Sequence, residues 1–348
     1  MKQMLMMTMI AALFCGCGNG KNNEAVKTVA VEEFASQIEK KDVRLIDVRT
    51  PKEYAEGHIA GAENIDVKAA DFAERVKDIR GTVAVYCRGG KRSLTATQPL
   101  AAQGCTVYNL DGGILAWQKA GKPTTTVETD VFTTKSGKLV KLYALVHSSI
   151  RIEYDGYEIE VDPCANLNGR TVDYAAFPKA DIILVTHEHF DHFDTATLRL
   201  LSTEKTRLIM NPSCVEKYGS GIALSANGDK LQLAEDIIVE AVPAYNTTEG
   251  HQQFHPQGRD NGYILTLDGL RIYIAGDTED IPEMGSLADI DIAFLPCNQP
   301  YTMTSEQLVR AAKMVQPKVL FPYHYSETDV TGIPAQLPGI DVRIRHYE

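Results

Sequence analysis

Between residues 186 and 192 the sequence reads Thr186-His187-Glu188-His189-Phe190-Asp191-His192, which crowds three imidazoles and two carboxylates into six positions. Buried His and Asp need partners and exposed ones need no such density, so core packing does not explain the run, whereas metal ligation does. Alternate side chains of an extended segment share a face, which sends His187 and His189 to one side; Asp191 and His192, past the bend, are expected to approach a second cation. A different chemistry is offered by Cys87 and the loop Arg88-Gly89-Gly90-Lys91-Arg92-Ser93. A thiol delivered by a strand to a glycine-bearing loop at a helix start meets backbone N–H donors, which lower a cysteine pKa from about 8.5 toward neutrality. The three cations of that loop are expected to push the same way, giving a reactive thiolate rather than an inert core cysteine.

The elements that must position these groups are readable from the apolar pattern. A strand-like run at 182–185 feeds the histidine motif, and Asp194 is placed to cap a helix over 195–201. A second run at 83–86 ends on Cys87, and a helix-like segment follows from Leu94; Pro99 falls inside it and is expected to kink or shorten it. Before residue 123, apolar runs at 45–46, 83–86 and 107–110 alternate with charged helical stretches at 31–41 and 71–78, the pattern of a parallel sheet with βα crossovers. Residues 124–138 are polar and rich in breakers, and read as a linker. Beyond them strand signals dominate, at 142–146, 150–154, 157–161, 182–185, 237–242, 263–267, 272–275, 292–295 and 319–322, with Asp155-Gly156 and Asp268-Gly269 as tight hairpin turns.

Length and composition set the limits. The 348 residues are enough for two domains, and a 44% hydrophobic, 23% charged chain has apolar material for more than one core. Lys+Arg 35 against Asp+Glu 46 gives a net charge of −11, so nucleic acid is discounted as a partner. At the start, Lys2 precedes an apolar run over 4–14, too short for a membrane span of about 20 residues. Gly16 before Cys17 resembles the bacterial lipoprotein signal, which implies residues 1–17 as signal, lipidation at Cys17, and an exported protein, periplasmic or on the cell surface, held to the membrane by its lipid alone. A plainly cleaved signal or a retained anchor remain the alternatives. Five of the seven cysteines lie beyond that segment, an odd number that leaves at least one thiol unpaired within the chain.

Residues 28–123 resemble the rhodanese family. The markers are Leu45-Ile46-Asp47-Val48-Arg49, the stretch from Glu53 through His58 to Ala62, the loop from Cys87 to Ser93, and Leu110-Asp111-Gly112-Gly113 with Trp117, Ala120-Gly121 and Pro123. The resemblance implies an α/β domain with a parallel sheet and a sulfurtransferase in which Cys87 carries a persulfide, Arg92 belongs to the catalytic loop, and a sulfane-sulfur donor or acceptor is the partner. Four residues separate Cys87 from Arg92, a cradle suited to sulfur and tighter than the phosphate-enclosing loop of related phosphatases.

Residues 139–348 resemble the metallo-β-lactamase superfamily, through Ile159-Glu160-Val161-Asp162-Pro163, the 186–192 motif, Tyr273-Ile274-Ala275-Gly276-Asp277-Thr278 and Phe321-Pro322-Tyr323-His324. The resemblance implies an αββα sandwich and two divalent metal ions. His187, His189 and a third histidine would hold one; Asp191, His192 and His324 the other; Asp277 would bridge them. Zinc is the default for such ligands, with iron the alternative. The third histidine departs from the family's pattern, since Pro243-Ala244-Tyr245-Asn246 stands where it is usually found. His255, between Phe254 and Pro256, is chosen over His251 in its polar stretch. His147 and Asp162 read as residues that orient ligands or substrate, and the stretch from Tyr301 to Thr304 as either pocket wall or helix cap.

Two cations sharing Asp277 would turn a bound water into hydroxide near neutral pH, with Asp191 orienting it, a chemistry that serves esters, lactones, amides, thioesters and phosphodiesters. The leading expectation is a two-domain exported enzyme combining a dinuclear hydrolase of small molecules with a persulfide-forming cysteine. An iron-dependent persulfide dioxygenase of the same superfamily, and a binding protein without turnover, are the competing classes.

Overall fold

The computed structural model describes residues 25–347 apart from 168 and 227, so the signal segment and Cys17 lie outside the described residues. Five parallel strands open the fold, in the spatial order Val26–Val29, Thr106–Leu110, Thr82–Tyr86, Val43–Asp47 and Glu63–Asn64. Their side chains alternate between faces with the strand period of two. Val43, Leu45, Ala84 and Tyr86 face a cluster with Phe34 and Trp117 from the helices Val31–Ile38 and Gly113–Lys119. Ile46, Val48, Val83, Val85 and Cys87 face the other way, onto Val76, Ala96 and Leu100 from the helices Phe72–Val76 and Lys91–Ala102. Both faces are covered, as a parallel sheet requires. The helix Lys91–Ala102 runs through Pro99, so the expected shortening does not occur. A proline loses its own N–H to the ladder and crowds the carbonyl one turn earlier, and here the helix ends at Ala102, within the turn that follows.

The stretch read as a linker is in part a strand. Thr129–Thr133 pairs antiparallel with Leu139–Val146 and touches Glu63 on its other side, so the sheet continues across it. Threonine and valine favour pleated backbone, and their polar neighbours hid the strand from a reading by composition. Asp130 explains that polarity. It is buried, and its carboxylate accepts from Arg343 Nη1 at 2.6 Å, Arg345 Nη2 at 2.7 Å and Arg345 Nε at 2.8 Å.

From Leu139–Val146 the sheet proceeds through Ser149–Tyr154, Tyr157–Val161, Ile182–Val185, Arg207–Met210 and Ile222–Ala223, twelve strands in all. A second sheet of seven strands runs from Lys230–Ala234 to Asp341–Val342. The two meet in a core built from Ile150, Ile152, Ile182 and Leu184 on one side and Val239, Leu265, Ile272, Phe294 and Phe321 on the other. Fully burying each such side chain contributes roughly 1.5–3 kcal/mol. Helices Thr195–Leu201 and Pro212–Tyr218 cover one outer face, and Ser305–Val315 covers the other, giving the αββα order. Asp155 and Asp268 take φ of 47° and 45° and are followed by Gly156 and Gly269 at positive φ, as tight two-residue hairpins demand. Among the described residues no helix is long and apolar enough to cross a membrane.

Candidate metal centre and cysteine loop

The histidine cluster assembles at the strand ends of the sandwich. His147 follows Leu139–Val146, Asp162 follows Tyr157–Val161, His187 closely follows Ile182–Val185, Asp277 lies just beyond Leu270–Ile274, and His324 follows Val319–Tyr323. Three of these, His147, Asp162 and His324, sit at φ of 55°, 42° and 48°. Such left-handed backbone costs a non-glycine residue about 1–3 kcal/mol and concentrates where surrounding structure over-determines a functional geometry. Gly276 makes the close approach possible, because a Cβ there would lie 2.7 Å from Asn261 O, and its φ is 66°.

Three sets of ligand atoms lie within 4.8 Å of one another: His187, His189 and His255; His147, Asp191, His192 and His324; and His187, His192 and Asp277. Asp277 stands between them. Its Oδ2 is 3.3 Å from His255 Nε2 and 3.2 Å from His324 Nε2, and its Oδ1 is 3.4 Å from His192 Nε2. Asp191 Oδ2 lies 3.3 Å from His147 Nε2 and 3.7 Å from His324 Nε2. All the residues expected to surround the two cations are therefore brought together, over a separation of more than a hundred positions in the chain. His147, expected only to orient others, reaches the cluster with its own Nε2.

The choice between the two later histidines is made by carboxylates. His255 is buried with Nδ1 on Asp260 Oδ2 at 2.9 Å, so Nε2 points at Asp277; Arg259 in turn clamps Asp260 at 2.6 and 2.8 Å. His251 is turned away onto the buried Glu279, 3.3 Å from its Oε1, while the Oε2 of the same carboxylate accepts from the N–H groups of Thr247 and Thr248. Asp260 and Glu279 were not singled out from sequence, where nothing local marks them. Asp162 does what was expected: Oδ2 accepts from His192 Nδ1 at 2.8 Å and holds Nε2 toward the cluster. Asp194 caps Thr195–Leu201 through the N–H groups of Ala196 and Thr197. Tyr301 lines the pocket while Thr304 forms a capping box for Ser305–Val315, so both readings of that stretch hold, for different residues.

The electrostatics follow from burial and crowding. Burial opposes charge on Asp277, but the His324 and His192 rings outweigh it and hold the carboxyl well below its usual range. Burial likewise opposes charge on His255 and His324, yet Asp260 and Asp277 raise the first to about 9, and Asp277 and Asp191 raise the second to about 10. Deep burial of this many lone pairs is costly unless they are matched. His192 Nε2, His324 Nε2 and Asp277 Oδ1 have no hydrogen-bond partner among the described residues. Imidazole nitrogens and carboxylate oxygens so arranged fit a divalent cation.

At the other site Cys87 directly follows the strand Thr82–Tyr86, and Gly90, at φ 86°, starts the helix Lys91–Ala102. Burial raises the thiol pKa, but the Ser93 hydroxyl, 3.4 Å from Sγ, and the N–H groups of Ser93, Gly89 and Gly90 outweigh it, so the net shift is downward. The expected contribution of the loop cations gives way to these hydrogen bonds. Arg92 is engaged elsewhere, in a bidentate pair with Glu53 at 2.7 Å for both bonds, and Arg88 and Lys91 point to solvent. That pair, with Thr50 donating, holds Glu53 at about 2. Gly113 is required behind the loop, since a Cβ would lie 2.3 Å from Cys87 O. His58 is structural, stacked on Tyr54 with Nε2 on Val127 O at 2.8 Å, and His346 is exposed. All five described cysteines are buried and free.

Comparison with known proteins places both halves. Residues 141–324 match the family described as beta-lactamase superfamily domain, and residues 30–120 match that described as rhodanese-like domain. A protein of Lysinibacillus sphaericus named as a metal-dependent hydrolase is 32% identical over 190 residues, covering 52% of this chain and 82% of that one. Another so named, from Pyrococcus furiosus, is 31% identical over 198 residues, with 54% and 85% covered. The crystal structure of a Parabacteroides distasonis protein, whose given name also puts it among metal-dependent hydrolases, superposes with a TM-score of 0.61 at 51% identity, over 64% of this chain and 100% of that one.

Proposed function

Because the chain belongs to the beta-lactamase superfamily and also carries a rhodanese-like domain, we propose that it is an exported two-domain enzyme which hydrolyses a small molecule at two metal ions and carries persulfide sulfur on Cys87. The observation that carries the hydrolase reading is the convergence of His187, His189 and His255 on one side of Asp277 with Asp191, His192 and His324 on the other. Zinc is the default occupant and iron the alternative. When bound, such a pair supplies a water acidic enough to be hydroxide at neutral pH, and positive charge for the developing oxyanion. The chain's own residues do the rest. Asp162 keeps the proton of His192 on Nδ1, and Asp260 keeps that of His255 on Nδ1, so both rings present Nε2. Asp191 opens onto the pocket and is placed to orient the attacking water through its carboxylate.

At the second site the Cys87 thiolate, steadied by Ser93 and the loop N–H groups, attacks the sulfane sulfur of a donor. A new S–S bond forms on Sγ, the donor's remaining part leaves as an anion, and an acceptor nucleophile later removes the sulfur. For localisation, the apolar run over 4–14 followed by Gly16-Cys17 supports export and lipidation at Cys17. The net charge of −11 speaks against nucleic acid as a partner.

Metal analysis of the purified full chain, with turnover of an ester panel, tests the first site. Two zinc ions per chain and hydrolysis that disappears in His187→Ala and Asp277→Ala are expected. One iron per chain with oxygen uptake on a persulfide would replace the hydrolase with a dioxygenase. For the second site, thiosulfate-to-cyanide sulfur transfer is expected in the parent and absent in Cys87→Ser.

A further inference from the structure

The cavity above the histidine cluster holds about 550 Å³. Here no Lys or Arg is among the lining residues, and the acidic side chains Glu188, Asp191 and Asp277 are. The nearest cations to Glu188, Arg259 and Lys217, each 3.6 Å from its Oε1, do not line the cavity. Leu167, Phe190, Phe254 and Tyr301 supply the apolar part of the wall. Phe190 is 80% exposed and Tyr301 45%, the former the most exposed large hydrophobic side chain among those described. Phe254 meets Tyr301 edge to face, with ring centroids 5.0 Å apart. Asn246 donates to Tyr301 O at 2.7 Å and so anchors that wall from behind. Exposed aromatic surface has a solvation cost that is relieved when a ligand covers it, which makes a cluster of it beside a reactive centre informative. Across the mouth, Asn298 donates to Ser326 Oγ at 3.2 Å, a polar pair able to receive a single carbonyl or hydroxyl group.

We infer that this pocket selects an uncharged substrate bearing a flat apolar group, an aryl-substituted ester, lactone or amide by chemical class, gripped between Phe190 and the Phe254–Tyr301 wall. The inference rests on the metal-hydrolase reading above, and a binding measurement separates the two. Calorimetry on the zinc-loaded full chain compares acetohydroxamate, benzohydroxamate and 4-carboxybenzohydroxamate, which share one metal-binding group. Benzohydroxamate is expected to bind about tenfold tighter than acetohydroxamate, as burial of roughly 55 Å² of apolar surface implies. The added carboxylate is expected to weaken binding by severalfold. Phe190→Ala and Tyr301→Ala should each shrink the aryl preference, the second variant lying away from the histidine motif and serving if the first disturbs metal content. Equal affinity for the acetyl and aryl probes, or tighter binding of the carboxylated one, overturns the selectivity whether or not esters are cleaved. A chain that binds two metals and shows the aryl preference but cleaves nothing leaves the pocket chemistry standing and removes the hydrolase.

Discussion

Asp162→Asn isolates how a carboxylate that touches no substrate sets the competence of the metal centre. Asp162 is wholly buried, and Oδ1 accepts from Thr186 N–H at 2.8 Å while Oδ2 accepts from Thr186 Oγ at 2.8 Å and His192 Nδ1 at 2.8 Å. Asparagine has the same shape and tolerates the φ of 42° found here, so the fold is expected to survive. With its oxygen kept on Thr186 N–H, its amide nitrogen stands where Oδ2 stood and offers a proton to His192 Nδ1. The ring then carries its own proton on Nε2, the atom 3.4 Å from Asp277 Oδ1, and that lone pair is lost to a metal. Presenting Nε2 to a metal then means doing without the charge-assisted Asp162–His192 bond that the parent keeps, about 1.5–3 kcal/mol. At 1.4 kcal/mol per factor of ten this is roughly a 10- to 100-fold loss of affinity, the size associated with partners of metal-binding histidines. Zinc affinity measured by competition with a chromophoric chelator, with metal counted after dialysis, should show one of two ions weakened by that factor. A folded variant whose two zinc affinities stay within threefold of the parent would refute the reasoning.

Three further outcomes are expected. Because neighbouring carboxylates push His255 up to about 9 and His324 up to about 10, both rings hold protons at pH 7, which a divalent cation would have to displace. Calorimetry in buffers of different ionisation enthalpy should therefore find at least two protons released per chain, more where a bound water also ionises, and an affinity that rises with pH; no release would contradict the assignment. The same raised values mean that the metal-free chain is stabilised below the unfolded value near 6.5 and loses that contribution as pH climbs through 9 to 10. At the junction of the two halves, Asp130 is held at about 2 against burial by Arg345 and Arg343, which contributes about 2 kcal/mol above pH 4 and is lost as pH falls toward 2. Asp130→Asn should cost at least that much in urea unfolding at pH 7; an unchanged midpoint would show the ion pairs to be idle. Ser93→Ala removes the hydroxyl beside Cys87 and should raise the thiol pKa, so that less thiolate is present at neutral pH, read from thiolate absorbance against Cys87→Ser. An identical titration would mean that the backbone N–H groups suffice.

Both candidate sites could be read in the sequence because their defining groups are close in the chain. His187, His189, Asp191 and His192 share one loop, and Cys87 shares another with Gly89, Gly90 and Ser93, so alternation and loop chemistry could be argued residue by residue. The two-faced strands 43–47 and 82–86 were equally open to reading, since a period of two sorts their side chains before any partner is known. What could not be read depends on groups brought from far away. Arg92 looked like a cation for the thiolate until Glu53, 39 positions earlier, took it as a bidentate partner. The polar stretch 124–138 gave no sign that Asp130 would meet Arg343 and Arg345, more than 200 positions later, and make a strand of it.

The amino-acid order alone determined which chemistry this protein can attempt, because the types and local spacing of its histidines, acids and cysteine are set once the chain is written. Tertiary structure decided which of them take part. His251 and His255 are four residues apart and chemically identical, and only the carboxylates that folding places beside them, Glu279 for the first and Asp260 for the second, turn one ring out and the other in. A buried imidazole goes where its second nitrogen finds an acceptor, and the position of that acceptor is a property of the packed sheets.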